Sequence, residues 1–508
     1  MSSDKFDDDT VGEAVCDFGK DTTVHGVRYM IARGHFLFRL CWLAIVILAF
    51  VLFGMQATNV YSDYAASPYS TKIDIVQTTF KAFPAVTVCN VNRIRRSRLY
   101  DTNYEGLIDV DDMFISGYLE DEESVNMTER VNEREVEERE GEIWSKVNGQ
   151  YDWMGFYTAS QADDFSDLIN VVNPTKEELT GYGHQLERFL IQCTYDQQPC
   201  NASSKFEVWQ NRYYGNCFTF NFGTNGDLIS TSKTGALNGL HLTLWVEDDE
   251  YMGFLSPYRG AKVTIHPQNI LPLPEDEGIN VATGMATSIG LREEVVKRLH
   301  EMTSCVEENG EGTNFTVRNN SSSYTVAYCL KLCFQQSLIN RCGCVDGILL
   351  NYTHCDVLNT TQRNCLSNVH ELYINNNLDC YCPLPCQERN FKKTISSIDW
   401  PSDRYVDHLT TRFTGHPDIR RTLIEDEGRA KRNLIRLQIY YETLNNEVVV
   451  QVPRYSIPNI LGNWGGLMGL FTGMSFISVF EVIFLLLRVS KISCEKLLFP
   501  NRVQPIKT

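Results

Sequence analysis

Two stretches of the chain are apolar without the regular polar interruptions of an amphipathic element. Phe36 to Gln56 is broken only by Arg39, and ~20 such residues in a helix cross a hydrocarbon core of ~30 Å. The second runs from Ile460 to Leu487 and carries Gly462, Gly466, Gly469 and Gly473, then Ser475 and a lone acid, Glu481. On one ideal helix these glycines share a face that a neighbouring backbone can approach closely. A carboxylate at membrane depth faces a bundle interior or a water-filled path rather than lipid. The segment therefore reads as a pore lining. The competing reading is a glycine packing face with a Glu that snorkels to the interface.

Basic residues mark the outer limits of both runs: Arg28, Arg33 and Arg39 before the first, and Arg488, Lys491 and Lys496 after the second. The positive-inside rule then makes both termini cytoplasmic and places Val60 to Tyr455 outside the cell. Reading the first run as a signal peptide is disfavoured, because it exceeds an h-region of roughly 7–15 residues. Two further patterns fit an external segment. Glycosylation sequons stand at Asn126, Asn201, Asn314, Asn319, Asn320, Asn351 and Asn359, all between the apolar runs. Of 17 cysteines, Cys16, Cys41 and Cys494 belong to the membrane or cytoplasm, which leaves 17 − 3 = 14 outside. An even number there implies a disulfide framework whose connectivity spacing alone leaves open. Zinc is disfavoured: Cys342-Gly-Cys344 and Cys380-Tyr-Cys382 have few neighbouring histidines, and no Cys-x2-Cys pair is present.

Between the runs the pattern is mixed. Pro84 to Val88, Cys217 to Phe220, His241 to Val246 and Lys262 to Ile265 are β-rich runs bounded by turn residues. Ile435, Leu437, Ile439 and Tyr441 alternate with polar neighbours, and Asn445-Asn446 leads into Val448 to Val452, which predicts a hairpin. That hairpin feeds through Pro453 and Pro458 into the second apolar run, so motion of the sheet would pull on the membrane helix. Helices are predicted at Leu291 to Met302, Tyr324 to Gln336 and Pro417 to Arg432. In the second of these, Cys329 and Cys333 share a face, from which two bridges would bolt the helix to a neighbouring strand. The expected class is an α+β membrane protein with one integrated external body.

The net charge of −18 is concentrated: Asp101 to Glu142 holds 16 acidic residues against three arginines. Nucleic acid is excluded as a partner, and an acidic outer surface attracts cations. The alternative is a solvated acidic segment without a ligand. Beside it, Trp144, Tyr151, Asp152, Trp153, Phe156 and Tyr157 interleave aromatic faces with a carboxylate. That chemistry suits a cationic aromatic ligand through cation–π contact and ion pairing, although the same aromatics would equally anchor one subdomain to another. Neither a Gly-x-Ser-x-Gly elbow nor His-Glu-x-x-His nor a phosphate loop is visible, so an enzyme is not expected.

An ordered set of motifs goes further: His25-Gly26, then Phe83-Pro84-Ala85-Val86-Thr87-Val88-Cys89-Asn90, then Cys329-x3-Cys333-x8-Cys342-x-Cys344 closing with Cys380-x-Cys382-x3-Cys386, and finally Leu461 to Gly466 running on to Gly473-Met474-Ser475. Together they resemble the degenerin and epithelial sodium channel superfamily over nearly the whole chain. The resemblance implies a homotrimer or heterotrimer with a palm, finger, thumb, knuckle and β-ball ectodomain. Its divisions here would be cytoplasmic 1–35 with a His-Gly re-entrant loop, a first transmembrane helix at 36–57, an extracellular body at 58–455, a second transmembrane helix at 456–488, and cytoplasmic 489–508. It also implies the pairings Cys89–Cys217, Cys193–Cys200, Cys305–Cys386, Cys329–Cys382, Cys333–Cys380, Cys342–Cys365 and Cys344–Cys355. By the same resemblance Gly473, Met474 and Ser475 form the constriction, offering oxygens to a partly dehydrated sodium ion, and Glu481 adds an acidic ring below. Gly462 takes the gating position where bulk props the pore open, and Gly469 the position sensitive to amiloride-type blockers. No cofactor is implied beyond the permeant sodium ion.

The gate is read from departures. Acid-sensing members carry a histidine pair before the Thr-Lys that resembles Thr71-Lys72, where this chain has Pro68-Tyr69. No histidine occurs between His35 and His184, which disfavours proton gating. Phe484 replaces a second pore acid, so sodium selectivity over potassium is expected to be modest. The chain looks most like the FMRFamide-gated sodium channels: plasma-membrane, amiloride-sensitive cation channels opened by an extracellular cationic amidated peptide. Alternatives are a constitutive or mechanically gated channel of the same superfamily and a non-conducting two-pass surface receptor. Trimeric ATP-gated channels lack the Gly-x-Ser segment and the cysteine ladder.

Overall fold

The computed structural model describes residues 10–31, 35–66, 69–102, 104–108, 111–112, 174–200, 202–223, 228–253, 255–300, 304–307, 323–346, 352–356, 359–413, 415–426 and 428–498. The chain divides into two compact units, one of Met1–Lys72 with Gln451–Thr508 and one of Ile73–Val450.

In the smaller unit, Phe36–Ala65 is one helix of 30 residues with mean hydropathy 2.7 in its most apolar window. At 1.5 Å per residue it is ~45 Å long, enough to cross a bilayer with turns to spare. The second apolar run is not one helix. It divides into Ile457–Thr472 and Phe476–Leu498, whose axes differ by 74°. Among the described residues one helix is thus long and apolar enough to cross a membrane, and the bent pair makes a second if it is a single span. Because the first helix ends at Thr472, Gly473 does not lie on the face that carries Gly462, Gly466 and Gly469. The first long helix packs along Ile457–Thr472, while a short helix, Val11–Asp21, packs against Phe476–Leu498.

The larger unit is built on two sheets that share a core. The main sheet runs Gln387–Asp399, Met285–Lys297, Leu434–Pro453, Leu240–Trp245 and Leu190–Tyr195. The other runs Ile279–Ala282, Gly260–His266, Ala85–Asn90, Gly215–Phe220 and Phe206–Asn211. Phe83, Phe189, Phe218, Phe220, Leu242 and Leu437 belong to one buried cluster with both sheets in it. Ala85–Asn90 and Gly215–Phe220 are buried on both faces, which is why they read as unbroken apolar runs.

Three sequence expectations are corrected here. There is no hairpin at Asn445-Asn446: Leu434–Pro453 is one continuous strand of 20 residues. Its parallel partner, Met285–Lys297, templates both halves, pairing Leu291 with Tyr441 and then Glu293 with Asn446. The surplus residues 442–445 form a bulge, and Thr78 and Lys81 donate to the carbonyls of Leu444 and Asn445 that the ladder leaves over. Second, Leu291 to Lys297, the start of the helix expected over Leu291 to Met302, is instead the second half of the Met285–Lys297 strand. Its inward positions are Thr287, Ile289, Leu291, Glu293 and Val295, and a buried charge in that row hides the alternation from hydropathy. Third, the helix predicted at Pro417 to Arg432 is two, Pro417–Glu425 and Gly428–Asn433.

The predicted thumb helix is Val326–Cys342, capped by Thr325 and ended by Gly343 in the left-handed region at φ +70°. Cys329 and Cys333 join it to Cys382 and Cys380. That partner segment belongs to no strand, so the helix is bolted to a strap rather than a sheet. The other bridges are Cys89–Cys217, Cys193–Cys200, Cys305–Cys386, Cys342–Cys365 and Cys344–Cys355.

Candidate functional site

The site begins at the break in the second apolar run. Ser456 caps the Ile457–Thr472 helix by accepting from the Asn459 N–H, and Pro458 occupies its first turn. The helix stops because Gly473 adopts φ +64°, ψ 14°, a left-handed terminator, with its N–H bonded to the Gly469 carbonyl at 3.1 Å. The break is therefore a helix C-cap, not an extended strand. Two residues on, the next helix opens with a reciprocal cap: the Ser475 N–H donates to Ser478 Oγ at 3.0 Å, and the Ser478 N–H donates to Ser475 Oγ at 3.4 Å. The Ser-x-x-Ser spacing encodes this locally.

A loop from the N-terminus docks onto the break. The Val11–Asp21 helix starts with a capping box between Thr10 and Glu13 and ends at Thr22. Gly26, at φ +87°, then turns the chain under Trp42 and Val46, where a β-carbon would lie 2.7 Å from Val46 Cγ2. The His25 N–H donates to the Thr472 carbonyl at 3.3 Å, and the His25 ring fills the place a side chain at Gly473 would take, 1.8 Å from an ideal β-carbon. Glu481 receives the Thr23 N–H at 3.1 Å, the Thr22 hydroxyl at 3.2 Å and the Thr23 hydroxyl at 3.2 Å. The Thr23 and Ser478 hydroxyls are 2.6 Å apart, and Ser478 is fully buried. His25, Gly26, Gly473, Met474, Ser475 and Glu481 are thus gathered in one place. The Glu481 carboxylate is spoken for by the loop, which the expected open acidic ring did not foresee. Sequence reasoning also missed Thr22, Thr23 and Ser478, though Ser475-x-x-Ser478 is a legible cap signature.

The sequence profile of the amiloride-sensitive sodium channel family matches residues 18–485. The chain belongs to that family. It is 27% identical to the epithelial sodium channel subunit alpha of Xenopus laevis over 521 residues, covering 92% of this chain and 80% of that one. It is also 27% identical to the subunit gamma of Rattus norvegicus over 531 residues, covering 91% and 80%. The degenerin-like protein unc-105 of Caenorhabditis elegans is 29% identical over 320 residues, covering 60% of this chain and 34% of its own length. Members of this family are plasma-membrane ion channels, so this sodium channel family chain is not an enzyme.

Elsewhere in this amiloride-sensitive channel family member the remaining sequence candidates fall out as follows. Gly462 and Gly469 are exposed, and a β-carbon on either meets nothing within 4 Å. Trp144, Tyr151, Asp152, Trp153, Phe156 and Tyr157 lie outside the described residues, as do Asn126, Asn201, Asn314, Asn319, Asn320 and Asn351. Asn359 is exposed, and its side chain caps the Thr360–Ile374 helix. His300, Cys305 and Cys386 come within 4.8 Å of one another, but the two sulfurs are bonded to each other and offer no thiolate to an ion.

A buried charge cluster lies beside the bulge at residues 442–445. Glu293 binds Lys81 at 3.2 Å and Arg389 at 2.8 Å, with the Lys81 and Glu293 side chains 2% and 3% exposed. Lys81 also stands 4.6 Å over the Tyr441 ring. Burial pulls the Lys81 ammonium below its ordinary range, and Glu293 opposes but does not cancel this. Burial likewise pushes His266 down to about 4, and its Nε2 bonds Thr87 Oγ1 at 2.9 Å.

Proposed function

We propose that this chain is one subunit of a trimeric, sodium-permeable, amiloride-blockable cation channel that an extracellular FMRFamide-type peptide opens. The observation that carries the channel part is the broken second helix, with Gly473 to Ser475 at the break and the His25 loop seated beneath it. Non-helical backbone at membrane depth is tolerated where it lines water or is covered by protein, and a ring of backbone carbonyls contributed there by neighbouring copies would replace an ion's hydration. The exposed glycines of the Ile457–Thr472 helix leave a smooth face for a neighbouring copy. The named epithelial sodium channel subunits among its relatives support assembly with related chains. In this reading the helix Phe36–Ala65 and the bent pair both cross the bilayer, both termini are cytoplasmic, and the permeant sodium ion is the only ion handled.

The peptide part rests on the sequence: an acidic segment beside Trp144 to Tyr157, and Pro68-Tyr69 in place of a histidine pair. Voltage clamp of cells expressing the chain tests it, with Phe-Met-Arg-Phe-amide and related peptides applied before and after amiloride. The expected result is an inward sodium current on peptide application that amiloride blocks. A standing amiloride-blockable current indifferent to peptide would replace peptide gating with the constitutive or mechanical reading. Full surface expression without any current would leave the non-conducting receptor.

A further inference from the structure

We infer that Ser478 is the positioning residue of the constriction, orienting the peptide between Met474 and Ser475 through a directed hydrogen-bond relay that ends on Glu481. The direction follows from counting protons. An ionised carboxylate only accepts, so the Thr23 hydroxyl, 3.2 Å from Glu481 Oε2, spends its proton there. With that assignment the 2.6 Å contact between the Thr23 and Ser478 hydroxyls, in which either oxygen can donate, takes the proton of Ser478 in preference to the longer 3.3 Å contact with Ser475 Oγ. Ser478 Oγ, its own proton committed, is left as acceptor for the Ser475 N–H at 3.0 Å. The relay reads Ser475 N–H to Ser478 O–H to Thr23 O–H to Glu481 carboxylate, each member donating toward the charge.

The consequence is geometric. A trans peptide is planar, with its N–H and C=O antiparallel. Pinning the Ser475 N–H toward the protein therefore turns the Met474 carbonyl to the opposite side and holds it there. Ser478 has no exposure to solvent, so no water replaces it. Glu481 on this account acts on permeation through the cytoplasmic loop and the relay, not as a carboxylate that the ion meets directly. The inference rests on the channel reading.

The test compares Ser478→Ala, Ser478→Thr, Thr23→Val, Thr23→Ser and the double Ser478→Ala/Thr23→Val, in the full-length channel. The readout is the sodium-to-potassium permeability ratio of the amiloride-blockable current, taken from reversal potentials under bi-ionic conditions, with surface expression measured in parallel. Losing one hydrogen bond of net ~1 kcal/mol corresponds to a ~5-fold change, so Ser478→Ala and Thr23→Val are each expected to shift the ratio by about that factor. The double substitution should do no more than either alone, and Ser478→Thr and Thr23→Ser should restore the parent ratio. An unchanged ratio in Thr23→Val, or effects that multiply in the double, would overturn the relay. If Ser478→Ala fails to reach the surface, the exposed Thr23 position decides alone. A disulfide trapped between positions 23 and 478 in Thr23→Cys/Ser478→Cys, found by mass spectrometry of the linked peptides, reports the contact without any current. A missing link would overturn the relay, whereas a link in a chain that carries no current would count against the channel reading instead.

Discussion

Replacing Gly473 with Ala tests the docking of the cytoplasmic loop directly. At φ +64°, ψ 14° an alanine enters the left-handed region, which costs ~1–2 kcal/mol for an L-residue. Its β-carbon would fall 1.8 Å from His25 Nδ1 and 2.3 Å from Cγ, so the ring has to leave. With it goes the bond from the His25 N–H to the Thr472 carbonyl, worth ~0.5–1.5 kcal/mol net. Together these come to ~1.5–3.5 kcal/mol, or a ~10- to 400-fold rise in the population whose loop is undocked. Val24 is 6% exposed while the loop is docked, so Val24→Cys serves as the reporter. Its rate of modification by a thiol reagent applied from the cytoplasm tracks the open fraction when reclosing is fast. Adding Gly473→Ala should raise that rate by about the stated factor, and His25→Ala in the same chain should recover part of the loss, since it removes the clash but not the backbone strain. A rate unmoved by Gly473→Ala would refute the reasoning, because it would mean His25 does not sit on Gly473.

Other expectations follow from the larger unit and from the glycine face. The unfolded chain protonates His266 near the ordinary 6.5 and the folded chain only near 4. As pH falls between those values stability should therefore drop, by up to ~3 kcal/mol, with nothing lost above them; His266→Gln should flatten the thermal-melting profile over that interval, and parallel profiles would contradict the assignment. Glu293→Gln leaves buried Lys81 beside Arg389 without a countercharge and should cost ~3–5 kcal/mol in melting experiments. The double Lys81→Met/Glu293→Leu should recover much of that, and equal losses would show that pairing is not what matters there. The Cys329–Cys382 and Cys333–Cys380 bridges close nested loops, with separations of 53 and 47 residues. Removing one should cost ~2 kcal/mol and removing both ~4 kcal/mol or more, read as melting temperature. A β-carbon at Gly462 has nothing within 4 Å, so Gly462→Phe should reach the surface normally and add a standing amiloride-blockable current; a normal closed state would remove Gly462 from the gate.

Much of the architecture was legible because its signals are local. The apolar run of Phe36–Ala65, the buried runs at Ala85–Asn90 and Gly215–Phe220, the alternation from Ile435 to Tyr441 and the Thr325-capped helix each follow from spacing and propensity within one segment. The errors also have local causes. Glu293 is charged yet points inward, so the period of two along Met285–Lys297 disappears into a helix-like pattern. Asn445-Asn446 resembles a turn, yet a parallel partner on both sides of the bulge keeps the strand running in one direction.

By itself the sequence determined where the apolar runs lie; that Gly473 ends one helix and Ser475 opens another was not read from it, although such caps are settled by residues three or four apart. Only the tertiary structure decided what Glu481 does. Its hydrogen-bond partners Thr22 and Thr23 are 459 and 458 positions away, and no periodicity reaches that far. A half-buried carboxylate in an apolar run needs donors, but which donors reach it depends on how the chain returns upon itself, so the pairing becomes visible only after the loop has been brought to the break.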